Sequence, residues 1–376
     1  MRKILYLIAA AALLLPASCA KQSLAPAQDE RPIAFLAANY ATKVGISGTQ
    51  FPTTETFGMY AWTEGSDAYF MDNEVIALRE GEKGKIWTTA TPYKWPKDKM
   101  LDFVGFYPAG MKEIAVAKDK ITYASYDVEA NPTVDVMYAD KAAGFADHPE
   151  DVPGSASGYD GVPVLFRHAL SKLTVEMALA YNHKEEADGT VTDWEVTVNS
   201  VKLSGVHMKG GLALTLADSP KVGIVGWTKP EGNVWTSDGS VMADKNYIAA
   251  ATALKTGETV TAIPEMFVLP QTLAAGKQQV SVNLTIKTLR GGKPFLSETM
   301  DVAADFMVPG TLTAWQMNHA ITYKLSVKPT RSSGVDPDDP TKPVDPSNPT
   351  LKDVTVSFDP AVTGWDAMTV SAEIDL

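Results

Sequence analysis

The chain carries a single thiol, Cys19, and its surroundings are those of a lipidation site. Arg2 and Lys3 make a basic start, Ile4 to Leu15 is uncharged and apolar, and Pro16-Ala17-Ser18 sets small residues directly before Cys19. An apolar run this short falls below the roughly 20 residues a membrane-spanning helix needs, so residues 1–18 read as a cleavable secretory signal. After cleavage the thiol can be diacylated, as in a bacterial lipobox, although Pro16 stands where such a box usually has Leu. A lone cysteine also excludes a disulfide framework, a Cys-rich zinc site and a CxxC redox pair.

Other chemistry is sparse. No GxSxG, HExxH, Walker-A or GxGxxG pattern occurs, and His148, His168, His183, His207 and His319 are scattered without ligand spacing. We therefore expect no catalytic residue, no metal site, no cofactor and no enzyme. Among 45 acidic residues some pair will lie at glycosidase distance, but nothing in the sequence singles one out. Asp336, Asp338 and Asp339 offer oxygen ligands without the glycine and spacing of a calcium loop. Eight tryptophans could stack on sugar rings, whereas most tryptophans in β-sandwiches pack inside; Trp62, in Phe57-Gly58-Met59-Tyr60-Ala61-Trp62, reads as strand packing. A net charge of −12 is the wrong sign for a phosphate-backbone binder, so nucleic acid is excluded as a partner.

The elements around these residues are strands. With 376 residues the chain has length for two domains and extensions. Residues 19–31 read as a polar, Pro/Ala-rich tether. Ile33 to Tyr40 is almost wholly apolar and would be buried on both faces as a strand. Strand-like runs follow at 57–62, 101–107, 121–128 and 134–138, then a Gly/Pro/Ser/Asp-rich stretch from Asp147 to Gly161 that reads as a domain boundary. A second series runs from Val162 to Val327, with clear alternation at Val280, Val282, Leu284 and Ile286. The fold class is all-β, with a β-sandwich at 32–160 and another at 161–328. A Pro/Asp-rich linker at 329–350 then leads to a strand-patterned extension at 351–376, where Val354, Val356 and Phe358, and later Met368, Val370, Ala372 and Ile374, alternate with polar residues.

Several local motifs occur in order along the chain: Phe57 to Trp62; Trp95-Pro96 followed by Leu101-Asp102-Phe103-Val104-Gly105-Phe106-Tyr107-Pro108; Asp135-Val136-Met137-Tyr138-Ala139; Val164 to Leu173; and Asp359-Pro360-Ala361-Val362-Thr363-Gly364-Trp365. Together they resemble the fimbrillin family, in its Mfa-like branch from Bacteroidetes. The resemblance implies a type V pilus subunit or adhesin of two transthyretin-like β-sandwich domains, carried to the outer membrane as a lipoprotein. It implies that a trypsin-like surface protease removes an N-terminal strand and that a strand from another fimbrial subunit fills the groove. On that scheme the displaced strand carries Ile33, Phe35, Leu36 and Tyr40, and the donor strand carries Met368, Val370, Ala372 and Ile374. The cut is expected between Lys43 and Val44, since this loop precedes a Gly/Ser-rich segment and Arg31 is shielded by Pro32. Expected partners are fimbrial subunits, the protease, the lipid anchor and a receptor on a host or bacterial surface. The alternative reading is a surface glycan-binding lipoprotein.

Overall fold

A computed structural model describes residues 28–39, 51–81, 84–158, 161–185, 189, 191–216, 235–242, 245–329, 335–336, 339–343, 354–364 and 369–370. The described residues contain no helix and form strands arranged in sandwich-like sheets. The largest sheet has nine strands in the order Met137–Ala139, Val162–His168, Phe35–Asn39, Gly84–Thr88, Tyr69–Gly81, Phe57–Thr63, Leu101–Tyr107, Ala142–Ala146 and Ala156–Ser157. Met137–Ala139 also pairs with Leu101–Tyr107, which closes seven of these strands into a ring.

Strand Phe57–Thr63 shows why this sheet has an inside and an outside. Six of its seven residues are buried because both faces are covered. Alternation sends Phe57, Met59 and Ala61 into a cluster inside the ring, and Tyr60 and Trp62 into a second cluster formed with the later strands. Glycine is required at position 58, since a Cβ there would lie 2.1 Å from the Phe106 ring. The packing expected of Trp62 is found: it is buried and stacks on Tyr60 at 6.2 Å.

The later strands build two further sheets. One runs Thr259–Val268, Ser171–Leu179, His319–Pro329, Val354–Gly364 and Thr369–Val370. The other runs His183–Glu185, Val191–Ser204, Gln279–Arg290 and Lys293–Asp305, with Thr252–Leu254 also paired to Val191–Ser204. The alternation expected at Val280 to Ile286 is present, with all four apolar residues buried.

Four sequence expectations change. The Asp147–Gly161 stretch is not where the sheets part. Val162–His168, assigned to the second half, is a central strand of the ring, and Ile114–Ala117 and Lys120–Asp127 join Lys209–Thr215 and Trp235–Ser237 in one four-stranded sheet. A loop rich in Gly and Pro marks a surface excursion, and strand pairing has simply continued past it. The end of the expected tether is ordered as well, because Gln28–Pro32 pairs antiparallel with Lys94–Pro96. Finally, Leu36 is 54% exposed, so the N-terminal strand is covered on one face rather than two. Within the expected linker, Val335–Asp336 pairs with Asp339–Pro343.

Candidate assembly site: the two terminal strands

The chain ends contribute to different structures. Near the N-terminus, Phe35–Asn39 lies between Val162–His168, which it meets in parallel register from Phe35↔Val162 to Asn39↔Phe166, and Gly84–Thr88, which it meets at Phe35↔Trp87. Its approach is fixed from both sides. The Ile33 N–H donates to the Tyr93 carbonyl at 2.9 Å, the Thr88 hydroxyl donates to the Ile33 carbonyl at 2.9 Å, and the Val162 N–H donates to the Ala34 carbonyl at 2.9 Å. Such bonds leave few backbone groups of this segment to water.

Ile33 and Phe35 are 1% and 2% exposed. The Phe35 ring meets Phe103 edge-on at 5.5 Å and Phe57 at 6.4 Å. Burying such a side chain contributes about 1.5–3 kcal/mol. Leu36 faces outward and packs close to Gly161, whose φ of +113° suits glycine and whose missing Cβ would sit 3.0 Å from Leu36 Cγ. Tyr40, Lys43 and Val44 lie outside the described residues, as does Cys19. The chain returns at Phe51, a residue the sequence reading passed over. Phe51 is buried among Phe57, Trp87, Tyr107 and Phe166, with ring centroids 5.0–5.6 Å away. A single aromatic residue in a polar loop carries no periodicity, so only its place in the ring reveals it.

At the other end, Val354–Gly364 pairs antiparallel with His319–Pro329 over eleven positions, from Val354↔Pro329 to Gly364↔His319. Val356 stands opposite Val327, Phe358 opposite Leu325 and Val362 opposite Ile321, and these three partners are buried. Without this strand, His319–Pro329 would be a sheet edge with its backbone groups unpaired. Of the expected donor residues, Val370 is described and pairs with Val362, while Met368, Ala372 and Ile374 lie outside the described residues. The alternation at Val354, Val356 and Phe358 was the signal for the longer strand.

Charged side chains gather where the ring closes. Arg167 Nε lies 3.3 Å from Asp140 Oδ2, and His168 Nδ1 lies 2.8 Å from Asp135 Oδ2, all four side chains being nearly or fully buried. Burial pushes the Asp140 carboxyl up to about 7, against the opposing pull of Arg167. A one-point contact with a guanidinium does not offset the loss of water around a buried carboxylate. Lys172 reaches Glu265 at 2.8 Å nearby. These pairs tie strands together.

The architecture is thus that of an all-β protein whose terminal segments finish its sheets. A family model described as fimbrillin-like matches residues 42–338, and the chain belongs to that family. No curated protein matches it. Among solved structures it is similar to a candidate cell adhesion protein of Bacteroides uniformis, at 16% identity and TM-score 0.41, covering 89% of this chain and 98% of that one. A candidate cell adhesion protein of Parabacteroides distasonis matches at 12% identity and TM-score 0.44, over 88% and 96% of the two chains. The tip fimbrial protein Mfa3 of Porphyromonas gingivalis, with its C-terminus truncated, matches at 10% identity and TM-score 0.31, over 87% and 97%. The family is one of structural fimbrial subunits, and membership places this chain among the proteins of cell-surface fimbriae.

Proposed function

We propose that this subunit reaches the outer membrane as a lipoprotein acylated at Cys19 and polymerises by strand exchange. In this reading a trypsin-like cut after Lys43 frees the segment that carries Ile33, Phe35, Leu36 and Tyr40. A neighbouring subunit then supplies its C-terminal arm, including Met368, Val370, Ala372 and Ile374, to the vacated place. The observation that carries the proposal is the position of Phe35–Asn39 between Val162–His168 and Gly84–Thr88. Its covalent link to the rest of the ring runs only through residues 40–50, between it and the buried anchor Phe51.

A cut in that link leaves the strand held by side-chain burial and backbone hydrogen bonds alone. Both are replaceable by any strand of suitable pattern, which is β-augmentation between chains. The C-terminal arm has that pattern and already pairs with a sheet of its own chain at Val354–Gly364. The residues 330–353 before it would give reach once the short Val335–Asp336 and Asp339–Pro343 pairing opens, at about 3.1 Å per residue where the proline-rich backbone is extended. Two experiments test the reading. Cys19→Ala should leave unprocessed precursor that no longer partitions into detergent, and normal outer-membrane fractionation would refute the anchor. Trypsin treatment of the folded protein should release a fragment ending at Lys43, and resistance there would refute the cut.

A glycan-binding role has less support. All six described tryptophans, Trp62, Trp87, Trp95, Trp194, Trp235 and Trp315, are at most 8% exposed, so none presents a face to a sugar.

A further inference from the structure

One loop beside the ring brings together ligand atoms that the sequence reading dismissed as scattered. Residues 147–155 leave the strand Ala142–Ala146 and return at Ala156–Ser157, which pairs in parallel with Phe145 and Ala146. The loop is stapled internally: Asp151 N–H donates to the His148 carbonyl at 3.1 Å, and the Ser155 hydroxyl and N–H both reach the Val152 carbonyl. One ligand atom from each of His148, Glu150 and Asp151 falls within a span of 4.8 Å. His148 Nδ1 lies 2.8 Å from Glu150 Oε1, while its Nε2 faces the Asp147 carboxylate at 3.7 Å. The Asp147 side chain is 5% exposed.

We propose that this loop binds a zinc-class divalent cation through His148 Nδ1, Glu150 and Asp151, with Asp147 orienting the imidazole from behind. Four features support it. The buried Asp147 carboxylate lies 3.7 Å from the second ring nitrogen, outside hydrogen-bond reach, and a small turn of the ring on metal binding would bring it to the carboxylate–histidine arrangement usual around a metal-ligating histidine. Three ligands leave a coordination position open, as at zinc sites that keep a water or an exchangeable ligand. The loop adjoins a cavity of about 240 Å³ whose charged lining is Asp98, Asp147 and Asp151 against the single cation Lys97, with His148 beside them, and there water or a ligand group can complete the coordination. Three carboxylates within five residues also draw a cation. The imidazole nitrogen selects against calcium, which takes six to eight oxygens. His148 Nδ1 and Glu150 Oε1, 2.8 Å apart, hold the place of the ion between them, and with bonds of about 2.0–2.2 Å to each the exposed Glu150 side chain must swing aside as the cation enters.

The test is calorimetric titration of the mature chain with zinc chloride, with cobalt(II) absorption as the spectroscopic readout. One zinc per chain is expected. Binding should vanish in His148→Ala, weaken about tenfold or more in Asp147→Asn, and persist when calcium is present in excess. His183, which pairs with Asp193 at 2.7 Å, serves as the control, and His183→Ala should bind normally. Glu150→Gln, at an exposed position, repeats the test without touching the imidazole and should also weaken binding. Absence of zinc uptake, uptake unchanged in His148→Ala, or uptake lost in His183→Ala would overturn the assignment.

Discussion

The two ends of this chain complete their sheets in opposite ways. The N-terminal strand is inserted: Phe35–Asn39 has a partner on each side and closes a ring around an aromatic interior. The C-terminal strand is added: Val354–Gly364 extends an edge, and beyond it, among the described residues, lies the short strand Thr369–Val370. Removing an inserted strand opens a gap with two unpaired walls and uncovers Ile33 and Phe35. Removing an added strand restores an edge that the sheet can tolerate. An assembly subunit gains from this asymmetry, because the vacated site is costly to leave empty while the strand that fills it can be given up at smaller cost.

The largest effect should separate two deletions. Loss of residues 28–39 strips burial and pairing from the ring and should remove much of a typical domain stability of about 5–15 kcal/mol, giving aggregated or partner-seeking protein. Loss of 351–376 should leave a folded monomer with new amide exchange confined to His319–Pro329. Equal unfolding of both in denaturant melts would erase the distinction. Next, Phe35→Ala should cost about 3–5 kcal/mol, as for other fully buried phenylalanines, measured by urea unfolding.

A pH effect sharpens the comparison, since it is confined to the ring. Asp140 has its folded value raised to about 7 by burial, above its ordinary 3.8. The unfolded chain therefore releases this proton first. The stabilising contribution is complete below about pH 4 and declines as pH rises to 7, by on the order of 2–4 kcal/mol. Asp140→Asn should remove that decline, and an identical pH slope in the variant would contradict the assignment. The smallest effect belongs to Leu36. At 54% exposure, Leu36→Ala should shift stability by no more than about 0.5 kcal/mol, so the two neighbours Phe35 and Leu36 report the one-sided burial of a single strand.

Much of the fold was legible because strands buried on one face carry a period of two. Gln279–Arg290 is read directly from the alternation of Val280, Val282, Leu284 and Ile286 with polar residues. Tyr69–Gly81 was not, since only Met71 and Ile76 are buried along its thirteen residues and two register shifts interrupt its pairing with Phe57–Thr63. Ring closure was also hidden, because pairing between Phe35–Asn39 and Val162–His168 joins segments far apart in the chain and leaves no local pattern. The same holds for Asp140 and Arg167. The apolar run near Ile33 did mark the N-terminal strand, but an unbroken run predicts two covered faces, and Leu36 shows that hydrophobicity alone does not say which face meets the core.

Entry of a neighbour's C-terminal arm into the opened N-terminal site can be followed by mixing two forms of the subunit. One is cut after Lys43 and lacks 351–376, so it can accept a strand but not donate one. The other is uncut and keeps its arm, so it can donate but not accept. A denaturant-resistant heterodimer and nothing longer should form, with no product when the first form is left uncut. Long polymers from this mixture, or a resistant dimer that forms without the cut, would contradict it.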